Sequence, residues 1–369
     1  MIQKKILIVG GGVSGIALAA LLEKRGITPV VIEKDNDWNR SGFGITIMPP
    51  GLDVLKRLGL YEKILSLGAI SEFVEFRDAL GHVTKRANMI GAGITSTTLP
   101  REDLLRELRT LLSTTTFRMG VTIESMQENT NGVTVRLSDQ FEDTFDLVIG
   151  ADGINSQVRQ FLFPAYQPEY VGAAIWNFFL PKNSSLPDPL VTTIVSNSRH
   201  LLSIFPIRDS AAVSFCIPMD QRRNLKEVDV ASYAEEIPFM GLDILPLVDS
   251  ADIFSGHLRQ VKLPKWHRGR VVLMGDAAHA MLPTSAMGVS SALMDAEVLA
   301  DQIAVCEHPN LARAAKAYEG QRIKGATRVQ KDSFLLWRII MDDRLPVRLK
   351  DMIIRHLPIN LLGKKLLQN

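Results

Sequence analysis

The chain has 369 residues, enough for about two compact lobes at roughly 100 to 200 residues each. Hydrophobic residues make up 46% and charged residues 22%, an ordinary globular balance that excludes a disordered chain. A formal net charge of +2 gives no basic field for nucleic acid, and two distant cysteines, Cys216 and Cys306, supply neither a disulfide framework nor a metal-ligand spacing.

Ile6-Leu7-Ile8-Val9 reads as a buried parallel strand. It is too short for a signal peptide and runs straight into Gly10-Gly11-Gly12-Val13-Ser14-Gly15. Gly10 permits a tight turn, Gly12 lets backbone approach a pyrophosphate, and Gly15 lets the next helix pack near the strand. That helix is predicted over Ile16 to Arg25, with Gly26 as its stop, and the next strand over Pro29 to Glu33. Phosphates would sit at the positive end of the helix. Glu33 would accept both ribose hydroxyls of an adenosine, and its charge disfavours a ribose 2′-phosphate. Strand, glycine turn, helix, strand and acid together predict a dinucleotide site on a right-handed β-α-β unit.

Phe73 to Thr84 reads as a hairpin turning at Asp78-Ala79-Leu80-Gly81. Leu104, Leu105, Leu108, Leu111 and Leu112 share one stripe, so Pro100 to Leu112 is predicted helical. Val133 to Leu137 alternates as a half-buried strand, and Asp146 to Gly150 reads as a buried one. The latter ends in Gly150-Ala151-Asp152-Gly153, where Asp152 reads equally as a ligand contact and as a turn former. From Tyr166 to Val261 the chain reads as short strands with aromatics. Trp176, Phe178, Phe179 and Phe205 could wall an apolar pocket, but on alternating strands such residues are more often core. His200, His257 and Tyr170 read as structural or solvent-facing, which leaves no catalytic base assigned.

Parallel-strand character returns at Val271 to Met274 and ends in Gly275-Asp276. A turn, Pro283 and a helix start at Gly288 follow. A second strand-to-helix device so far from the first predicts a long nucleotide gripped at both ends, which is what flavin adenine dinucleotide demands. From Ser333 onward apolar and basic residues alternate at helical spacing. Such a tail reads as helices packed on the body or as an amphipathic segment lying on a membrane surface. No apolar run is long enough to span a membrane.

The glycine loop, the Asp152-Gly153 segment and the Gly275-Asp276 segment, in this order, resemble the class A flavoprotein monooxygenases. The resemblance covers most of residues 1 to about 325 and is loose between Tyr166 and Val261. It implies an α/β fold: a Rossmann-like FAD-binding domain, an inserted mixed β-sheet substrate domain and C-terminal helices. The FAD domain would comprise 1–70, 98–164 and 264–325, the substrate domain 71–97 and 165–263, and the helical segment 326–369.

The resemblance also implies residue roles. Asp276 would hold the ribityl chain and Pro283 would lie beside the isoalloxazine ring. The Gly288-Val289 helix start would point N–H groups at the flavin. Arg101, in Leu99-Pro100-Arg101, would reach the FAD, and Arg40, Gly44 and Ile45 would pass near the ring. Gly10, Gly12, Val13, Ser14, Gly15, Glu33 and Lys34 would hold the adenosine and phosphate end. Asp152 and Gly153 would lie between FAD and the nicotinamide nucleotide, with Arg159 a nicotinamide-phosphate contact. The chain departs from the family at Ala286-Met287-Gly288-Val289-Ser290, where Gly-Gln-Gly-x-Asn is usual and only the last glycine survives. It has Arg259-Gln260 where Asp-Arg is frequent before Trp266, and Asn177 where an arginine often follows the tryptophan.

The implied activity is an FAD-dependent monooxygenase with NAD(P)H as transient co-substrate. It would use O₂ to hydroxylate an aromatic or polycyclic small molecule through a flavin C4a-hydroperoxide. The expected setting is cytoplasmic, as a monomer or homodimer, with no nucleic-acid partner and no metal. Two alternatives stand beside it. One is an FAD-dependent epoxidase or reductase of an isoprenoid-type substrate, with the basic tail touching a membrane. The other is a flavin-binding protein without turnover.

Overall fold

Parallel strands near the amino terminus form the centre of the computed structural model, which describes residues 4–38, 43–180, 188–196, 199–247, 253–342 and 344–356. Ile6–Val9 pairs in parallel with Val30–Glu33 on one side and Leu147–Gly150 on the other. Val271–Leu273 lies parallel beyond Leu147–Gly150, and Thr116–Met119 parallel beyond Val30–Glu33. A short antiparallel strand, His267–Arg268, completes this six-stranded sheet. Ile6, Leu7 and Ile8 are buried, as are Leu147, Val148 and Ile149. Such unbroken apolar runs fit a parallel sheet covered on both faces.

The first helix runs Val13–Glu23, so it begins at Val13 rather than Ile16. Ser14 and Gly15 carry no apolar signal, yet they form its first turn. The glycines are needed for packing. A Cβ on Gly15 would lie 2.0 Å from the Gly10 carbonyl oxygen, and one on Gly10, whose φ is +110°, would lie 2.5 Å from that of Ala151. The helix Gly288–Val305 starts where predicted and packs against Val13–Glu23, against Pro49–Leu58 and against the long helix Leu311–Met341. The stretch read as a turn after Gly275 is one helical turn, Asp276–His279.

A seven-stranded sheet forms the second lobe, in the order Phe254–Gln260, Glu169–Phe179, Ser210–Pro218, Leu201–Ile207, Val191–Ser196, Phe73–Asp78 and Val83–Asn88. It is mixed, because Val191–Ser196 runs parallel to Phe73–Asp78 while the other pairs are antiparallel. Side chains alternate across it. Trp176 and Phe178 face a core with Phe215, Ile237 and Ile244, so these aromatics are packing. Ile175 and Asn177, one register away, face the first lobe's cleft. A small sheet of Gly44–Ile47, Thr97–Pro100 and Ala69–Ile70 packs against the seven-stranded sheet and against the helices Arg101–Arg109 and Gly288–Val305.

The tail is helical and packed on the body as far as it is described, to His356. Its first helix starts well before Ser333, at Leu311, and buries Tyr318, Trp337 and Ile340. The last described helix, Val347–His356, is tied back by Lys350 Nζ donating to the Ile340 carbonyl at 3.0 Å. Leu349 and Met352 on it are exposed.

Candidate active site

A cleft of about 610 Å³ lies between the two large sheets. Gly12, Val13 and Ser14 open onto it, as do Gly153, Asp276 and Pro283. Gly288 and Val289 form part of its lining, and so do Gly44, Ile45 and Arg101. The second lobe contributes Asn177, Phe205 and Ser214, together with the strand residues Phe254 to Arg259. A recess lined by Gly11, Glu33, Trp38 and Arg109 shares Arg101 with this cleft.

Among the described helices that start on the cleft are Val13–Glu23 and Gly288–Val305, and neither of these has a side-chain cap. Gly12 precedes the helix Val13–Glu23 with no side-chain hydrogen bond, and Met287 precedes Gly288–Val305 in the same way. Uncapped helix starts offer N–H donors and a partial positive charge to an anion or a carbonyl edge. Both glycines leave room. The nearest atom to a Cβ on Gly12 would be the Arg101 guanidinium at 3.7 Å, and nothing lies within 4 Å of one on Gly288. Glu33 is buried at the recess, where its carboxylate accepts from Gly11 N–H at 2.8 Å and Asp35 N–H at 3.1 Å.

Asp276 lies at the end of the Gly275 turn with its side chain exposed on the open cleft. Desolvation by the protein packed around the cleft pushes its carboxyl above the ordinary range, His279 and Arg101 pull it down, and Asp295 pushes it further up. Behind it lies a cluster that sequence reading missed. Asp295, fully buried, accepts from Gly275 N–H at 3.0 Å, from His279 Nε2 at 2.5 Å and from Arg322 Nε at 2.8 Å. Burial alone would raise its carboxyl, but the charges and hydrogen bonds of His279 and Arg322 hold it at about 2. The ionised group can only accept, so His279 Nε2 carries the proton. Trp266 packs its ring 4.8 Å from His279. Gly275 has φ +56°, and a Cβ there would lie 2.4 Å from Ser14 Oγ, so the Gly275 turn is also pressed against the first glycine loop.

Other predicted residues lie elsewhere. Lys34 is exposed and borders neither cavity. Gly10 and Gly15 sit beneath the loop as packing positions. Asp152 turns from the cleft to the start of the helix Gln157–Leu162, where its carboxylate accepts from Gln157 N–H at 2.7 Å and Val158 N–H at 3.1 Å. That is the turn-forming alternative, with only its other oxygen left unpartnered. Arg159, expected at a phosphate, is fully buried and donates to the carbonyls of Ala277 at 3.0 Å and Ile154 at 2.6 Å. Met287 is buried with Met48, Met89 and Val329, away from the cleft. Arg40 lies outside the described residues. His257 borders the cleft with its Nδ1 buried and unpartnered, whereas Tyr170 donates its hydroxyl to the Met219 carbonyl.

The FAD binding domain family matches residues 3–333. The chain belongs to that family. It is an FAD-dependent oxidoreductase of the class A flavin monooxygenase type. It is 28% identical over 350 residues to 6-hydroxynicotinate 3-monooxygenase of Bordetella bronchiseptica, covering 90% of this chain and 91% of that one. It is also 28% identical over 307 residues to 2-heptyl-3-hydroxy-4(1H)-quinolone synthase of Pseudomonas aeruginosa, covering 80% and 79% respectively. The crystal structure of Klebsiella pneumoniae HpxO with FAD and uric acid superposes with a TM-score of 0.88 at 21% identity, covering 99% of this chain and 97% of that one. At that identity the likeness shows the fold alone. The residues of the cleft fit the cofactor: uncapped helix starts with open glycines at Gly12 and Gly288, a guanidinium beside the first and a carboxylate exposed on the space between.

Proposed function

We propose that this FAD monooxygenase hydroxylates an aromatic or polycyclic small molecule at the expense of NAD(P)H and O₂, with FAD held along the cleft. The observation that carries this is the single cleft onto which Gly12, Asp276 and Gly288 all open. When bound, the flavin supplies electron transfer from the nicotinamide and activation of O₂. The chain supplies binding, orientation and a dry enclosure. The N–H groups after Gly12 and the Arg101 guanidinium would hold the pyrophosphate, and Glu33 would accept from the adenosine ribose. Asp276 would accept from hydroxyls of the ribityl chain. The uncapped start of Gly288–Val305 would hold the ring end of the flavin with its N–H groups and favour negative charge there. The second lobe's sheet covers the reacting face and excludes water.

The six-stranded sheet is committed to one dinucleotide, so the nicotinamide nucleotide binds transiently. The setting is cytoplasmic, and the state is monomeric or homodimeric. No helix among the described residues is long and apolar enough to cross a membrane. Sedimentation with anionic vesicles tests peripheral contact by the exposed Leu349 and Met352 and their basic neighbours. The reading as a whole is tested by adding NADH or NADPH anaerobically to the FAD-loaded protein. Bleaching of the flavin by at least one nucleotide, accelerated by a bound aromatic, is the expected result. A flavin that neither nucleotide reduces would contradict it and favour a binding protein without turnover.

A further inference from the structure

We propose that the oxygenated substrate is a small, uncharged aromatic without a carboxylate, seated in a chamber beside the cleft; this rests on the monooxygenase reading above. The chamber has a volume of about 90 Å³ and shares Thr46, Phe205, Pro283 and Ala286 with the cleft. The Pro283 turn is therefore their common wall. The second lobe's sheet forms the opposite wall through Val74, Phe76, Thr192 and Ser203, and Leu336 and Ile340 of the long C-terminal helix close the end.

Charge is divided sharply between the two cavities. Arg101, His257, Arg259 and Asp276 border the cleft, whereas no ionisable residue borders the chamber among the described residues. The sheet does hold a charged cluster close by, on its other face. Glu75 lies between Val74 and Phe76 in sequence, so alternation turns it away, where it pairs with Arg77 and with Arg86 at 2.8 Å. A carboxylate placed in the chamber would lose its hydration and meet no cation.

Neutral polar groups are present in its place. Ser285 Oγ is buried at the chamber without a hydrogen-bond partner, so a hydroxyl, amine or ring nitrogen of a ligand would satisfy it. Thr192 is already held by Ser71 at 2.7 Å, and Thr284 donates to the Ser333 carbonyl at 2.7 Å. Met48 and Met89 complete a wall that adapts its shape to an apolar ring. No lining side chain can deprotonate a phenol, so the substrate's own substituent must make its ring electron-rich.

The test uses paired probes on the FAD-loaded protein: indole against indole-3-carboxylate, and phenol against 4-hydroxybenzoate. Dissociation constants are read from the change in flavin absorbance. The neutral member of each pair is expected to bind at least ten-fold more tightly. Ser203→Arg is expected to reverse that order by bringing a cation to the chamber. Thr192→Val, nearly isosteric, should keep it. Equal affinities, tighter carboxylate binding in the unmodified protein, or binding of neither member would overturn the proposal. A protein that takes up no FAD would instead contradict the monooxygenase reading. In that case the same pairs, read by tryptophan fluorescence, still decide the charge preference.

Discussion

Asp276, exposed on the cleft, and Asp295, fully buried behind it, are carboxylates whose surroundings give them different work. Asp276 opens on the cleft, so its removal should be felt by the cofactor. Asp276→Ala is expected to weaken FAD binding on the order of ten-fold to a hundred-fold, the usual worth of a hydrogen bond to a charged group. Equilibrium dialysis measures this, and an unchanged dissociation constant would take Asp276 out of the site. Asp295 is buried between His279 and Arg322, so its removal should be felt by the fold. Asp295→Ala leaves the Arg322 charge uncompensated and is expected to cost roughly 3 to 5 kcal/mol in urea unfolding. Its folded-state value, about 2, lies below the ordinary 3.8. A depressed carboxyl contributes stability that is complete above the unfolded value and lost as pH falls toward the folded one. Stability should therefore decline from about pH 4 toward about pH 2, and Asp295→Asn should flatten that slope. At this scale the position of Asp276 on the cleft was legible because it follows an apolar strand and a glycine. Asp295 was not, although a lone Asp in the apolar face of Ser290 to Leu299 is the signal a buried charge leaves. Asp152 and Arg159 carried the right residue types, but sequence cannot show which way a side chain turns.

The strand-to-helix units are the elements that build the site, and each depends on a close backbone approach. Gly15→Ala would set a methyl 2.0 Å from the Gly10 carbonyl. The helix Val13–Glu23 would have to move away, at a cost of about 1 to 3 kcal/mol. Both the melting temperature and the FAD affinity should fall together. A loss of stability with FAD affinity intact would separate the helix start from cofactor binding. These elements were readable because apolar runs, glycines and an acid fall at fixed places in a short stretch. The helix boundary at Val13 was not, because a first turn made of Ser14 and Gly15 has no apolar period. The mixed pairing of Val191–Ser196 with Phe73–Asp78 was equally hidden, since pairing between distant segments leaves no local pattern.

At the scale of the whole molecule, the chain folds so that its last long helix closes the space between two lobes made from interleaved segments. Trp337 is buried with Ile175, Leu201 and Leu282 from both lobes. Trp337→Ala is expected to cost about 3 to 5 kcal/mol of stability in urea. A small loss would mean that the helix end is not part of the enclosure. The stripe from Ser333 was legible as helical, while its docking site was not, because the same amphipathic pattern suits a protein body or a membrane. The two cavities that meet at Pro283 are likewise a property of the assembled molecule, since their walls come from segments scattered along the chain. The monooxygenase reading makes that meeting point the place where oxygen is transferred. Mass spectrometry of the product formed under ¹⁸O₂ with FAD, NAD(P)H and a neutral aromatic tests it most directly. The account predicts one labelled oxygen atom in each product molecule. A product whose new oxygen comes from water, or nicotinamide consumption with no labelled product from any aromatic offered, would contradict it.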